Sequence, residues 1–332
     1  MRITDIDKSL FTNVWIIAET IGGRVHPVTY ELIGAARGLA DARSSKVAAV
    51  VIGGEADASL FAYGADLAIV VNAPEFSGFN DELECAALNY LIEKHKPEIV
   101  LCAATARGRA LIPRVAVQTV SGLTADCTGL AIDPETGDLL QTRPAFGGNI
   151  MATIRTSNHR PQMATVRPNV MKALPPDPGR SGEVIRETLL GGAVKNAKRV
   201  IETVRGGEAQ INLGEARVIV SGGRAMKGPE GFNMLKRLAD KLGGAVGASR
   251  AAVDAGWIAY PHQVGQTGQT VQTALYIACG ISGQIQHLVG MQSCGCIVAI
   301  DKNPDTPMMR LADIAVTGDV FEIVPAMTEA LQ

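Results

Sequence analysis

Four short stretches in the last third of the chain carry residue types that bind anions and planar, hydrogen-bonding ligands. Ser221-Gly222-Gly223-Arg224 joins two glycines, which let backbone N–H groups come close to an anion, to a guanidinium. An ordinary tight strand-to-helix turn with a solvated arginine has the same composition, and spacing alone leaves both readings open. Gly247-Ala248-Ser249-Arg250 repeats the arrangement, and there Ser249 can hold a phosphate or cap the helix that follows. Gln263-Val264-Gly265-Gln266-Thr267-Gly268 sets two amides, a hydroxyl and two glycines around a single apolar side chain, Val264. Surface turns use Asp, Asn and Pro more often, so this loop reads as donors arranged about a planar ring. Gly280-Ile281-Ser282-Gly283-Gln284-Ile285-Gln286-His287 leaves an apolar run and opens a helical one, so its amides and Ser282 suit a pyrophosphate. His287 shares that helix, where a lone histidine is more often structural than functional.

These loops need elements to position them. The first half alternates short apolar runs with longer amphipathic ones: Val14 to Ala18, Val28 to Ala42, Val47 to Ile52, Leu67 to Val71, Glu82 to Lys96, Ile99 to Ala103, then a helix over 108–117. Near-continuous apolar strands separated by helices imply a parallel sheet covered on both faces. The shorter runs at 130–132, 139–140, 149–154 and 163–166 read as an antiparallel or edge extension. Pro175-Pro176-Asp177-Pro178-Gly179 breaks the pattern and starts a connector that carries one strand over 199–204. The alternation then restarts: strand 216–221, helix 229–242, the short run 244–247, strand 275–279, helix 282–291, strand 297–300 and a last helix from Asp319. The fold class is α/β, with two Rossmann-like, doubly wound parallel-sheet domains over residues 1–205 and 206–332. In such sheets ligands sit beyond the carboxyl ends of the strands, which is where all four polar loops fall.

Composition narrows the function. The 332 residues are 47% hydrophobic, 19% charged and 4% aromatic, with 36 glycines, a balance that suits close-packed α/β layers. A net charge of −2 and no basic stripe exclude nucleic acid as the partner. The apolar run from Val14 to Ala18 is too short for a signal segment or a membrane span, so a cytoplasmic protein is expected. Six scattered cysteines read as free thiols, and Cys294-Gly295-Cys296 as a loop of small residues before a strand. The chain has no G-x-G-x-x-G fingerprint, Walker A lysine or metal-ligand cluster. A nicotinamide dehydrogenase would need glycines after the first strand, where Ala18-Glu19-Thr20-Ile21-Gly22-Gly23 does not fit. A non-enzymatic adenine-nucleotide module remains a second reading, told apart by the absence of flavin from gently purified protein.

Taken in order, the four loops closely resemble the FAD domain of electron transfer flavoprotein alpha subunits. Ile297-Val-Ala-Ile-Asp-Lys-Asn-Pro-Asp-Thr-Pro307 and Ala312-Asp313 continue the likeness. Thr105-Ala-Arg107-Gly108-Arg109, Pro113-Arg114, Gly122 to Gly129 and Arg160 to Pro168 extend it into the first half. The resemblance implies one FAD in this chain. It also implies a beta-subunit partner holding AMP or a second FAD, and electron exchange with acyl-CoA dehydrogenases or similar flavoenzymes rather than conversion of a substrate. The N-terminal domain would contact that partner.

The same resemblance places Arg224 against the flavin ring. A unit charge about 4 Å from a developing flavin anion is worth about 4 kcal/mol at an effective dielectric near 20, or well over 100 mV for one electron. It implies that Ser249, with Arg250 beside it, and Gln263, Val264, Gly265, Gln266 and Thr267 hold the flavin and its phosphates, Thr267 near the N5 edge. Ser282, Gly283, Gln284, Ile285, Gln286 and His287 would take the pyrophosphate and bring His287, as a positive charge, to the ring's C2 carbonyl. Asp319 and Val320 would lie by the adenosine end. Asp301 stands where many relatives have Asn; a carboxylate accepts from ribose hydroxyls but repels a phosphate. Pro144 to Ile154 and Tyr260-Pro-His-Gln263 are similar to electron-bifurcating members, which oxidise NADH together with their beta subunit.

Overall fold

The computed structural model describes residues 6–21, 23–76, 78–145, 150–188, 198, 200–201, 213–214 and 216–331. The chain divides into two compact units, Met1–Val204 and Arg205–Gln332. The first runs β1 (Thr12–Ile17), a short hairpin β2 (Thr20–Ile21) and β3 (Arg24–Val25), α1 (Pro27–Ala42), β4 (Val47–Ile52), α2 (Ala58–Ala62), β5 (Leu67–Val71), α3 (Asp81–His95), β6 (Pro97–Ala103) and α4 (Ala106–Gln118). It continues with β7 (Leu123–Cys127), β8 (Gly129–Ile132), β9 (Leu139–Ala145), β10 (Ile150–Arg155), β11 (Gln162–Val166) and β12 (Glu183–Arg186). Seven parallel strands form one sheet in the order β12-β5-β4-β1-β6-β11-β7.

The two-residue period of a strand explains how the sheet is covered on both sides. Val14 and Ile16 of β1 pack with Val28, Leu32 and Ile33 of α1, while Trp15 and Ile17 point the other way onto Leu88 of α3 and Leu111 of α4. Strands β8, β9 and β10 form a separate antiparallel sheet, as the short runs with polar breaks suggest. The run at 163–166 does not join it. β11 lies parallel between β6 and β7, and all five of its residues are buried, which only a strand covered on both faces requires. The connector also supplies β12 to the sheet edge, a strand missed in the sequence because Glu183-Val184-Ile185-Arg186 is half polar and largely exposed. Of the strand expected over 199–204, only residues 200 and 201 are described, and neither lies in a regular element. Of the stretch from Pro144 to Ile154, residues 146–149 lie outside the described residues.

A ladder of alternating charges ties the small sheet to the large one. Arg43 reaches Glu98 at 2.6 Å, Glu98 faces Arg160 at 3.4 Å, and Arg160 pairs with Asp138 at 2.9 Å. Arg155 pairs with Asp133 at 2.8 Å, and Arg43 also donates to the Gly137 carbonyl. Glu98, Asp138 and Arg160 are all buried. Burial raises the Asp138 carboxyl, but hydrogen bonds from Ser157 and Arg160 outweigh it and hold the group below the usual carboxylate range.

The second unit contains β13 (Val218–Gly222), α5 (Pro229–Lys241), β14 (Ala245–Ala248), α6 (Arg250–Asp254), β15 (Leu275–Cys279), α7 (Ile285–Leu288), β16 (Ile297–Asp301), α8 (Pro307–Leu311), β17 (Ile314–Thr317) and α9 (Val320–Ala330). Its parallel sheet has the order β14-β13-β15-β16-β17. On one face α5 inserts Phe232, Leu235, Leu238 and Ala239 at helical spacing, beside Val320 and Val324 of α9. The other face is closed chiefly by single side chains from loops, including Val264, Val271, Ile281 and Met291, with Met308 and Met309 of α8. The helix expected over 282–291 shrinks to one turn, α7. Gly283 ahead of it has φ +81°, which stops any helix from starting earlier, and a Cβ there would lie 2.4 Å from the Met308 nitrogen. Among the described residues no helix is long and apolar enough to cross a membrane.

The charge ladder can be tested by removing one member. Arg160→Met leaves Glu98 and Asp138 buried with only their outer partners, and should destabilise the first unit by about 3 kcal/mol, measured as a lower urea midpoint at an unchanged slope.

Candidate functional site

In the second sheet the chain runs from β13 outward to β14 and then crosses back to β15, so the order reverses between β13 and β15. That reversal opens a crevice at the carboxyl ends of the strands. The loops leaving β13, β14, β15 and β16 surround a cavity of about 820 Å³, in the upper part of the range for drug-sized ligands. Its walls include Arg224, Ser249, Arg250, Gln263, Val264, Gly265, Gln266, Thr267, Ser282, Gly283, Gln284, Gln286, His287 and Asp301. Fourteen of the seventeen residues singled out in the sequence are therefore neighbours. The other three do not line it. Ile285 opens α7 with its side chain 68% exposed, Val320 is buried in the core under α5, and Asp319 caps α9 through the Phe321 N–H while pairing with Lys302 at 2.7 Å.

Each wall has a local cause. Ser249 stands at the N-cap of α6 with extended backbone angles, yet its side chain makes no capping bond, and Oγ is buried without a partner. The routine capping role left open by the sequence is thus not the one it plays. Gly223, Ser249 and Gln284 each precede a helical turn, so N–H groups without intrahelical acceptors gather around the cavity. The Gln263 loop is held from beneath. Val264, 1% exposed, donates its N–H to Ala248 at the end of β14. The Gln263 amide donates to Thr267 Oγ1 at 3.0 Å, and the Tyr260 hydroxyl donates to the Thr267 carbonyl at 2.6 Å.

Charge in the cavity is mixed. Arg224 is exposed and makes no ion pair among the described residues. Arg250 pairs with Asp254 one turn along α6 at 3.2 Å, with both side chains more than 60% exposed. Such a pair is worth little in water, so either guanidinium can be redirected to an anion at small cost. Solvent around Arg224 screens its field, so the estimate made for an effective dielectric near 20 applies only once a ligand displaces that water. Asp301 Oδ1 accepts from the Asn303 N–H at 2.9 Å, which fixes the carboxylate at the cavity edge.

His287 differs from its expected positive charge. The residue is 6% exposed, and burial pushes its pKa down to about 4 against the opposing effect of the Val264 backbone. It is therefore a neutral imidazole at pH 7. Nε2 shares a 2.9 Å hydrogen bond with the Tyr276 hydroxyl, while Nδ1 is buried and completes no well-formed bond. Ser249 Oγ and His287 Nδ1 are two of eleven buried side-chain polar atoms that have no hydrogen-bond partner among the described residues. The guanidinium, hydroxyl, amide and N–H donors that line the cavity fit a molecule that carries both phosphate oxygens and ring carbonyls. Gly280, Ile281, Asn303 and Thr306 also line the cavity. Asn303 and Thr306 follow β16, so the rule that ligands gather past strand ends was the signal that could have found them.

The buried imidazole makes stability depend on pH. Its folded pKa lies below the ordinary 6.5, so the neutral form is favoured in the fold. That contribution is complete above about pH 6.5 and is lost as pH falls toward 4. The ligand-free second unit should lose about 3 kcal/mol across that window, and His287→Gln should flatten the slope in chemical denaturation at stepped pH.

Comparison with known proteins gives the family. Residues 14–189 match the electron transfer flavoprotein domain, and residues 212–292 match the electron transfer flavoprotein FAD-binding domain. The electron transfer flavoprotein subunit alpha of Thermoanaerobacterium thermosaccharolyticum is 49% identical over 97% of this chain and 98% of its own length. The subunit of the same name from Megasphaera elsdenii is 43% identical over 98% of each chain. The LctC subunit of the lactate dehydrogenase (NAD(+),ferredoxin) of Acetobacterium woodii is 40% identical over 98% of this chain and 78% of its own length. With both family domains matched and relatives similar over nearly their whole length, the chain belongs to the electron transfer flavoprotein family as an alpha subunit.

Proposed function

We propose that this chain holds FAD in the cavity beyond β13, β14, β15 and β16, and works with a beta subunit as an electron carrier between dehydrogenases and an acceptor. The observation that carries the reading is the convergence of four polar loops, with Arg224, Ser249, Thr267, Ser282 and His287 among their residues, on one cavity of about 820 Å³. FAD, when bound, supplies one- and two-electron redox chemistry. The chain's residues do the rest. Arg224 and Arg250 hold positive charge near the place where the flavin gains electrons, which raises its potential. Ser249 and the turn at Ser282, Gly283 and Gln284 bind phosphate oxygens through hydroxyl and N–H donors. Thr267, clamped by Gln263 and Tyr260, sets the ring's N5 edge. His287 offers a neutral hydrogen-bonding ring to the C2 carbonyl. Asp301 takes ribose hydroxyls, and Asp319 with Val320 marks the adenosine side.

On this reading the domain boundary falls near residue 205, with the N-terminal domain docking the beta subunit. Dehydrogenases that hand over electrons, acyl-CoA dehydrogenase among them, meet the assembled heterodimer in the cytoplasm. The 40% identity to a subunit whose name pairs NAD(+) with ferredoxin favours the bifurcating form, in which the beta subunit holds a second FAD in place of AMP. Flavin analysis of the co-purified subunits tests both levels. Two FAD per heterodimer is the expected result, one FAD with AMP removes bifurcation, and colourless protein removes the flavin reading altogether.

Ser249 gives a sharper local test. Losing a working Ser N-cap costs about 1 kcal/mol, but this hydroxyl makes no capping bond. Ser249→Ala should therefore raise the ligand-free stability by about 1 kcal/mol while weakening FAD retention about tenfold, the equivalent of about 1.4 kcal/mol. Equal losses in both measurements would return Ser249 to a structural role.

A further inference from the structure

Gly290 stands just past α7, buried and apart from the residues that line the cavity. A Cβ there would lie 2.5 Å from both the Cα and the nitrogen of Gly265. Non-bonded carbons settle at about 3.5–4.0 Å, so an alanine at this position would push the Gly265 backbone away by about 1 Å. The other side of the contact is equally closed. Gly265 has φ +143°, a conformation that favours glycine. Its own Cβ would sit 2.8 Å from the Gln286 carbonyl oxygen and 3.5 Å from the His287 Cα.

Hydrogen bonds hold the same contact on both flanks. The Gln266 N–H donates to the Gln286 carbonyl at 2.7 Å, and the Val271 N–H donates to the Gly290 carbonyl at 2.7 Å. Gly290 in turn donates to the His287 carbonyl at 2.9 Å, so it belongs to the same turn of chain as His287. The loop that carries Thr267 is thereby laid against the end of α7, backbone to backbone. The bonds from Gln263 and Tyr260 to Thr267 act within that loop. The glycine contact is what sets the loop against α7, with Thr267 two residues after Gly265 and His287 three residues before Gly290.

We infer that Gly290 is a positioning residue that fixes the spacing between Thr267 and His287 across the cavity. A flavin ring system is rigid and planar, so groups that meet its N5 edge and its C2 carbonyl must stand at one separation. A displacement of about 1 Å at either group prevents both from acting on the ring at once. The backbone contact stands on the geometry alone. What the spacing serves rests on the flavin reading above.

Gly290→Ala in the full-length chain, co-purified with its beta subunit, tests this against Gly228→Ala, which adds the same methyl in the same unit where a Cβ meets nothing within 4 Å. Gly290→Ala should weaken FAD retention about tenfold or more, and shift the flavin's visible absorption and one-electron potential. Gly228→Ala should leave all three at wild-type values. A folded Gly290→Ala protein with wild-type affinity, spectrum and potential overturns the inference. Weaker retention with an unmoved spectrum and potential also overturns it, because a merely looser fold would do that. Amide hydrogen exchange of the flavin-free wild-type chain needs no variant to fold. The Gln266 and Val271 N–H groups should exchange far more slowly than the Thr267 N–H, which has no acceptor among the described residues; equally fast exchange at all three overturns the contact. Wild-type protein that takes up no flavin sinks the flavin reading instead, and exchange at Gln266 and Val271 then decides the contact by itself.

Discussion

At the point where the second sheet reverses its order, a Cβ on Gly223 would stand 2.0 Å from the Gly280 carbonyl oxygen. The loops leaving β13 and β15 touch backbone to backbone there, and the Gly223 N–H donates to Cys279 at 2.9 Å. Any side chain at that contact would force the two loops apart. The placement of Arg224 on one side and of Ser282 to His287 on the other depends on this approach, because both segments continue from the paired glycines. The cavity is a product of backbone contact first and of side-chain chemistry second.

Buried polarity is compensated only in part in either unit. In the first, Glu98, Arg160 and Asp138 are buried but face partners of opposite charge, so desolvation is offset by Coulomb attraction and hydrogen bonds. Gln141 in the same unit keeps both amide atoms buried without a partner, as Ser249 Oγ and His287 Nδ1 do in the second. Each such group costs about 1–3 kcal/mol relative to a satisfied one. Around the cavity the Gln263 loop is fixed by the Val264 N–H bond to Ala248 and by the bonds of Gln263 and Tyr260 to Thr267. Neutral His287 belongs to the same economy: an imidazolium at 6% exposure, with no carboxylate on its hydrogen-bonding atoms, would cost more than the fold gains from it.

Much of the site was readable before any coordinates because glycine, hydroxyl, amide and guanidinium side chains following apolar runs mark strand ends, and strand ends are where such sheets bind. Residues outside those loops were harder to place. Val320 and Ile285 flank residues that belong to cap and loop positions, but a helix start points one side chain inward and the next to solvent, and spacing does not say which. The contact between Tyr276 and His287 was not legible either, since a tyrosine inside Leu-Tyr-Ile-Ala-Cys reads as one more core residue.

The sequence by itself determined the α/β class, the alternation that builds two parallel sheets, the anion-binding character of four loops and the likeness to one family. These are local properties, set by side-chain type and period. Tertiary structure alone decided that Gln162–Val166 enters the sheet as a parallel central strand, that the helix after β15 is a single turn, and that Ser249 does not cap its helix. It also decided that His287 is neutral and bound to Tyr276. The physical reason is common to all four. Strand placement, helix length, hydrogen-bond completion and desolvation depend on which distant segments exclude water from a residue, and one-dimensional spacing does not contain that information.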